Sequence, residues 1–256
     1  MKVLSVANEK GGTGKTVLAA NLAWEFSRKG YLVLIVDLDQ QRDLTKILFR
    51  GEEIPRPDIF DLLNHQCRPE EACVEVKENL HLIPGSGNIK HYDFKRSETL
   101  LKEILAHEDL KQVDLVIIDN PPSTSEITLL GYVAATDVLI VTDPEMFGVE
   151  NMGEFLDDLA SVKQNLNREL RVIGVVANRV DMRRNLTKKV MSDLKWTLGE
   201  TFLNTFVSNN VAIPTSIWQR KTVRELGWSN PAVKQLKDLA NELEERMWGT
   251  DGVGQA

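Results

Sequence analysis

The chain is predicted to be an α/β protein: a doubly wound, mostly parallel sheet with helices on both faces. Short runs of branched apolar residues, such as Val3-Leu4-Ser5-Val6-Ala7 and Leu115-Val116-Ile117-Ile118, alternate with longer amphipathic stretches. Uninterrupted apolar runs of this length mark strands buried on both faces. A glycine-rich turn, Gly11-Gly12-Thr13-Gly14, stands directly behind the first run and ahead of a helical one. Polar residues, Asp above all, follow several of the apolar runs, where a parallel sheet would present them at one edge.

The elements follow in order. The first strand spans 2–8 and is followed by a helix from Thr16 to about Lys29, in which Leu18, Leu22 and Phe26, with Ala19 and Ala23 beside them, form one apolar stripe. Gly30 is placed to end that helix in the left-handed conformation. Further strands are expected at 31–37, 80–84, 114–119, 138–142, 172–178 and 205–207, and helices near 97–107, 124–135, 149–167, 186–198 and 231–248. The stretch 40–79 is the least regular, because Pro55, Pro57 and Pro69 interrupt it. With no internal repeat and no Gly-, Ser- or Pro-rich linker, the expectation is a single domain over 1–248 with a frayed tail at 249–256.

At 256 residues the chain can bury a full core. Its net charge of −7 argues against a protein that coats nucleic acid over its whole surface, while leaving room for a local basic patch. Cys67 and Cys73 are the only cysteines and match no zinc or iron–sulfur spacing. No apolar stretch reaches membrane-spanning length and the N-terminus enters a strand at once, so a cytoplasmic protein is expected. The four histidines share no ligand-like spacing, Asp157-Asp158 reads as a solvated helix face, and the five tryptophans read as packing residues.

A strand, a glycine-rich turn ending in Gly14-Lys15-Thr16 and then a helix form the architecture of a phosphate-binding loop. The backbone N–H groups of Gly11 to Val17 would cradle phosphate oxygens, Lys15 would reach the β- and γ-phosphates, and the Thr16 hydroxyl would ligate Mg²⁺. The ordinary pattern opens with a glycine where this chain has Glu9, and a second lysine, Lys10, follows it. Other strand ends add to the site. Asp37 and Asp39, two apart on an extended chain, point the same way; Asp37 suits a water-mediated Mg²⁺ contact and Asp39 the attacking water. Asp119 closes a Walker B run ahead of Pro121-Pro122 and suits the Mg²⁺ water shell. Asn178, with Arg179 behind it, stands where an amide can reach an adenine edge, although Asn is also a common turn residue.

These residues resemble the ParA/MinD ATPases, whose deviant Walker A loop is Lys-Gly-Gly-x-Gly-Lys-Thr/Ser. Lys10–Thr16 fits that loop completely, Asp37-Leu38-Asp39-x-Gln41 follows the family's second box, and Ile118-Asp119-x-Pro121-Pro122-Ser123 the third. The similarity runs over nearly the whole chain and leans to the ParA, Soj-like side; Asp181, Arg183, Asn185 and Leu186 match an Asp-x-Arg-x-Asn-Leu run. Gln40 and Arg42 replace the Pro and Gly usual in the second box, and Ser208-Asn209 a usual Pro-Arg pair. The resemblance implies an ATPase that dimerises on ATP, with Lys10 reaching the partner's phosphates, and whose hydrolysis a ParB-like protein stimulates. It implies nonspecific DNA binding and a nucleoid location for ParA-like members, and membrane binding through a C-terminal helix for MinD-like ones.

The last helix carries Glu242, Glu244 and Glu245 where an interfacial helix would carry Lys and Arg, which favours a docked core helix. Basic residues cluster instead at Arg183, Arg184, Lys188 and Lys189 and at Arg220, Lys221 and Arg224, readable as DNA contacts or as solvated faces. No helix-turn-helix precedes the first strand, so operator-specific binding is not expected. The competing classes are a metabolic ligase or reductase on the same fold and an ATP-holding module without turnover. The reductase would need cysteines after Cys73, and Asp39 argues against the module.

Lys10→Ala is expected to bind nucleotide as a monomer and fail to dimerise on ATP, because a charge needed between facing triphosphates is removed. Light scattering with and without ATP decides this, and dimerisation like wild type would contradict it.

Overall fold

Seven strands are joined in one sheet of order β3-β4-β2-β5-β1-β6-β7. A computed structural model describes residues 1–8, 11–93, 98–122, 125–144, 147–227 and 229–249. Lys10, Trp228 and the tail beyond Gly249 lie outside the described residues. The chain runs β1 (Lys2–Ala7), α1 (Lys15–Arg28), β2 (Val33–Asp37), α2 (Asp43–Leu48), α3 (Ile59–Leu63), α4 (Pro69–Ala72), β3 (Val74–Lys77) and β4 (Leu80–Ile83). It continues with α5 (Leu100–Leu105), β5 (Leu115–Asp119), α6 (Glu126–Ala134), β6 (Asp137–Thr142), α7 (Phe147–Asn165) and β7 (Arg171–Ala177). The final elements are α8 (Asn185–Leu198), α9 (Ala212–Trp218) and α10 (Pro231–Trp248). Every neighbouring pair is parallel except β3 with β4. Six strands therefore end at one edge of the sheet, and the loops after them face one another.

The helices divide between the two faces. Leu18, Leu22 and Phe26 of α1 join Leu236, Leu239 and Leu243 of α10 in one core, and residues of α5, α6, α7 and α8 build the other. Each of those six side chains is at most 2% exposed, and burying one contributes about 2 kcal/mol. α1 ends as the sequence predicts, with Gly30 at φ 97°. α10 is docked by its apolar face and by Glu244, which takes the Lys29 ammonium and accepts from Tyr31 Oη (2.9 Å). Among the described residues, no helix is long and apolar enough to cross a membrane.

Two readings of the sequence are corrected. The stretch 40–79 is not irregular throughout. It holds α2, α3, α4 and the edge strand β3, whose Glu75 and Lys77 place charge on an otherwise open edge. The expected seventh strand at 205–207 is not a strand: isolated bridges, Val175 with Phe202 and Val180 with Ser208, flank it along β7 and the residues just after β7. Two amides of this stretch still donate to β7, Leu203 N to Val175 O and Val207 N to Ala177 O (2.9 Å each), while others go elsewhere. The Glu242 carboxylate captures the amides of Asn204 and Thr205 (2.8 Å each), and Gln235 Oε1 takes that of Ser208 (3.0 Å).

The 219–226 segment is fixed to α1 by polar contacts. Asn21 Nδ2 donates to Val17 O (2.7 Å), while its Oδ1 accepts from Val223 N (2.8 Å). Arg224 grips Glu25 with both arms of its guanidinium, Nη2 to Oε2 at 2.8 Å, and is only 8% exposed. Removing one partner of a buried ion pair leaves the other charge unpaired. Arg224→Ala is therefore expected to lower unfolding free energy by about 3 kcal/mol, read as a shifted urea midpoint at unchanged slope. A shift no larger than that of a surface substitution would contradict it.

Candidate active site

The site is built at the carboxyl ends of β1, β2, β5 and β7. Behind β1 the chain turns through Gly12 and Gly14, at φ 81° and 93°, before α1 begins at Lys15. Gly14 is required twice over. Its backbone is left-handed, and a Cβ there would lie 2.3 Å from Asn178 Nδ2. That amide donates to Thr13 O (2.7 Å), so Asn178 braces the loop from β7. Its Oδ1 is buried without a hydrogen-bond partner among the described residues, which leaves one acceptor for a ligand's amine.

β2 and β5 are neighbours in register, with Asp37 opposite Asp119. Both carboxylates are fully buried, and Lys15 is 5% exposed beside them. Burial lowers the Lys15 pKa, with Asp119 and Asp39 opposing that effect. Burial, and then the charge of Asp37, push the Asp119 pKa well above the usual carboxylate range. The Asp37 pKa rises to about 6, again chiefly through burial, although hydrogen bonds from Thr45 and Asp39 hold it down.

The two aspartates differ in their partners. Asp119 accepts no well-formed hydrogen bond among the described residues, at either oxygen, although the Thr16 hydroxyl lies close enough to favour its charged form. An orphaned buried carboxylate beside a loop threonine fits Mg²⁺, which takes one or two protein oxygens and fills its shell with phosphate and water. Thr16 and Asp119 would hold it, and the metal would supply charge against the developing phosphate charge. Asp37, expected to make a water-mediated metal contact, is instead engaged chiefly with the chain. Its Oδ1 accepts from Asp39 N (3.1 Å), and its Oδ2 from Thr45 N (3.0 Å) and Thr45 Oγ1 (2.6 Å), so it organises the loop after β2. Asp39 is partly exposed at that loop, with Gln41 N on its Oδ1 (2.9 Å). Arg42, where the family's glycine would stand, takes φ 58°, a conformation that a glycine adopts without strain.

A cleft of about 420 Å³ opens beside the loop, lined by Gly14, Val17, Asn178, Arg179, Asn210 and Ile213 among others. That size suits a nucleoside. The structure thus brings together Gly11 to Val17, Asp37, Asp39, Asp119, Asn178 and Arg179, as the sequence expects. Lys10 lies outside the described residues.

The basic clusters fare unevenly. Lys188 and Lys189 are exposed on α8; Arg184, also exposed, lines the nucleotide-sized cleft. Arg183 is exposed but forks onto Asp181, Nε to Oδ1 at 2.8 Å and Nη2 to Oδ2 at 2.9 Å. Arg220 is exposed and Lys221 half-buried, whereas Arg224 belongs to the interior pair with Glu25 and is withdrawn as a DNA contact. The reading of all tryptophans as packing is also corrected: Trp196 and Trp218 are 90% and 84% exposed. Sequence reasoning missed Thr45 and α9 as well. Thr45 lies eight residues beyond Asp37 in an unremarkable Asp-Leu-Thr run, and no periodicity marks α9.

Comparison with known proteins settles the family. A family model described as an AAA domain matches residues 1–172. Over 246 residues the chain is 32% identical to the chromosome-partitioning ATPase Soj of Thermus thermophilus, covering 95% of this chain and 96% of that protein. The chain belongs to the ParA/MinD family, on its ParA side. Another ParA-side relative, the chromosome partitioning protein ParA of Caulobacter vibrioides, is 27% identical over 83% of this chain and 82% of its own length. Among solved structures, cobyrinic acid a,c-diamide synthase of Mycobacterium smegmatis, with bound ATP analog and magnesium, superposes at a TM-score of 0.83. It is 26% identical and covers 97% of each chain. From Gly11 onward, the ParA/MinD loop and the strand-end aspartates are thus brought together in one site.

Two outcomes follow for ligand binding. Lys15→Ala is expected to lose ATP binding at least tenfold, since backbone amides alone do not offset triphosphate charge; labelled-ATP equilibrium binding measures it. Below about pH 6 Asp37 holds a proton, and an arriving cation favours the ionised forms of Asp37 and Asp119. Binding of Mg²⁺ to the ATP-loaded chain near pH 6 should therefore release protons, less so as the pH rises and Asp37 ionises beforehand. Calorimetry in two buffers of different ionisation enthalpy reads the release; uptake of protons would contradict it.

Proposed function

We propose that this chain is an ATPase, converting ATP and water to ADP and phosphate, that dimerises on ATP and binds nonspecific DNA. It partitions or positions a plasmid, a chromosome or another cargo over the nucleoid, and a ParB-like or other small partner protein stimulates its hydrolysis. The observation that carries this reading is the full-length similarity to a chromosome-partitioning ATPase, joined to a strand-end site that keeps Lys15, Asp39 and Asp119 together.

In this reading the loop amides and Lys15 hold the triphosphate. Mg²⁺, held by Thr16 and Asp119, supplies positive charge to the phosphates when bound. Asp39, partly exposed and held at one oxygen by Gln41 N, orients the attacking water. Asn178 holds the loop through Thr13 O and offers its Oδ1 to the adenine amine, and Arg179 lines the cleft beside it. Two copies facing each other would add the partner's Lys10. The docked α10 supports DNA over a membrane as the surface to which the switch attaches, because its apolar face is already covered.

A second reading has one observation in its favour. The likeness to cobyrinic acid a,c-diamide synthase fits a metabolic ligase on the same fold. DNA binding separates the two. Affinity for two unrelated duplexes should be equal and should rise steeply with ATP. Replacing Arg184, Lys188 and Lys189, or separately Arg220 and Lys221, with Ala should weaken both duplexes alike. It should also flatten the log–log salt dependence by about one unit for each phosphate no longer neutralised. Mobility shifts at several salt concentrations suffice. Strong binding without ATP, or preference for one sequence, would contradict the reading, and retention on anionic liposomes would favour the membrane alternative.

A further inference from the structure

Thr45 sits at the crossing of three elements that surround the loop after β2. It lies in α2, fully buried, and its hydroxyl has one proton to give. The amide of Gly85, just past β4, donates to Thr45 Oγ1 (2.8 Å), which leaves the hydroxyl proton for Asp37 Oδ2 (2.6 Å). The Thr45 amide donates to the same oxygen (3.0 Å). The other oxygen of Asp37 accepts from Asp39 N (3.1 Å). A chain of hydrogen bonds thus runs Gly85 N, Thr45 Oγ1, Asp37 carboxylate, Asp39 N, buried as far as Asp37 and part-buried at Asp39. The fit is close: a Cβ on Gly85 would lie 2.7 Å from the Asp37 carboxyl carbon.

We infer that Thr45 is the positioning residue for hydrolysis: through Asp37 it fixes the backbone of Asp39, and so the direction in which Asp39 holds the attacking water. Thr45 touches neither nucleotide nor water. Its methyl group and hydroxyl are both enclosed, so the hydroxyl has no solvent to bond with and only the Asp37 geometry satisfies it. Among the described residues the partly exposed side chain of Asp39 accepts one bond, from Gln41 N (2.9 Å), so its direction comes mainly from its backbone. The part Asp37 plays is then to hold the backbone of the loop, with both of its oxygens accepting from the chain. Loss of the Thr45 hydroxyl should leave the phosphate loop intact, because no bond of this chain reaches Gly11 to Val17.

The inference rests on the proposed role of Asp39, and the test keeps the two apart. Thr45→Val removes the hydroxyl at nearly constant shape, Thr45→Ser retains it, and each is placed in wild type and in Asp39→Ala. Single-turnover hydrolysis and labelled-ATP binding are measured on the full chain. Thr45→Val should turn over about a hundredfold more slowly with ATP affinity unchanged, and Thr45→Ser should recover most of the rate. In Asp39→Ala, itself very slow, adding Thr45→Val should change the remaining rate by less than about twofold, as expected of residues acting as one unit. Wild-type turnover by Thr45→Val, a parallel loss of ATP affinity, or a full multiplicative effect in Asp39→Ala would overturn the inference. Normal hydrolysis by Asp39→Ala would overturn the water-positioning reading, and this inference with it.

Discussion

Two buried carboxylates facing each other across adjacent parallel strands are the constraint around which this molecule is arranged. Register between β2 and β5 sets Asp37 opposite Asp119, both without exposure to water. Like charges placed so are costly, and each is offset differently. Asp37 receives three donors from the chain itself. Asp119 receives none of good geometry among the described residues, and leans on Thr16, Lys15 and whatever cation arrives. The asymmetry divides their roles: one aspartate organises protein, the other waits for ligand. Glycine at positions 14 and 85 follows from the same crowding, since a Cβ at either would strike a side chain that the site needs.

Much of this could be read from sequence, for physical reasons. Strands buried on both faces write continuous apolar runs, so β1, β2, β5, β6 and β7 were legible from Val, Ile and Leu alone. The phosphate loop was legible because phosphate binding needs glycines and a lysine in fixed order. What escaped were features decided by tertiary contact. β3 is four residues long and pairs only with β4, too short for a period to show. The segment after α8 has strand-like residues, yet the side chains of Glu242 and Gln235 take three of its backbone donors, those of Asn204, Thr205 and Ser208. Arg224 looks like any surface cation in sequence; only its partner Glu25, far back along the chain in α1, puts it indoors.

The surface shows the same separation between residue type and placement. Arg183 spends its guanidinium on Asp181, while Lys188, Lys189 and Arg220 remain open to solvent. Trp218 stands exposed two residues before Arg220, at the end of the helix whose Ile213 lines the cleft. Through Asn21 and Glu25, the helix that begins at the phosphate loop also holds the segment carrying Lys221. The helix behind the phosphate loop and the 221–224 segment are therefore connected by a short run of buried polar contacts.

The most direct test of this account is a crystal structure of the full chain with Mg²⁺ and a non-hydrolysable ATP analogue. The account expects the triphosphate on Gly11 to Val17, the metal reached from Thr16 with Asp119 in its shell, and Asp37 still bonded to Thr45 and to the amide of Asp39. A nucleotide seated elsewhere, or an Asp37 that leaves Thr45 to meet the metal, would contradict it.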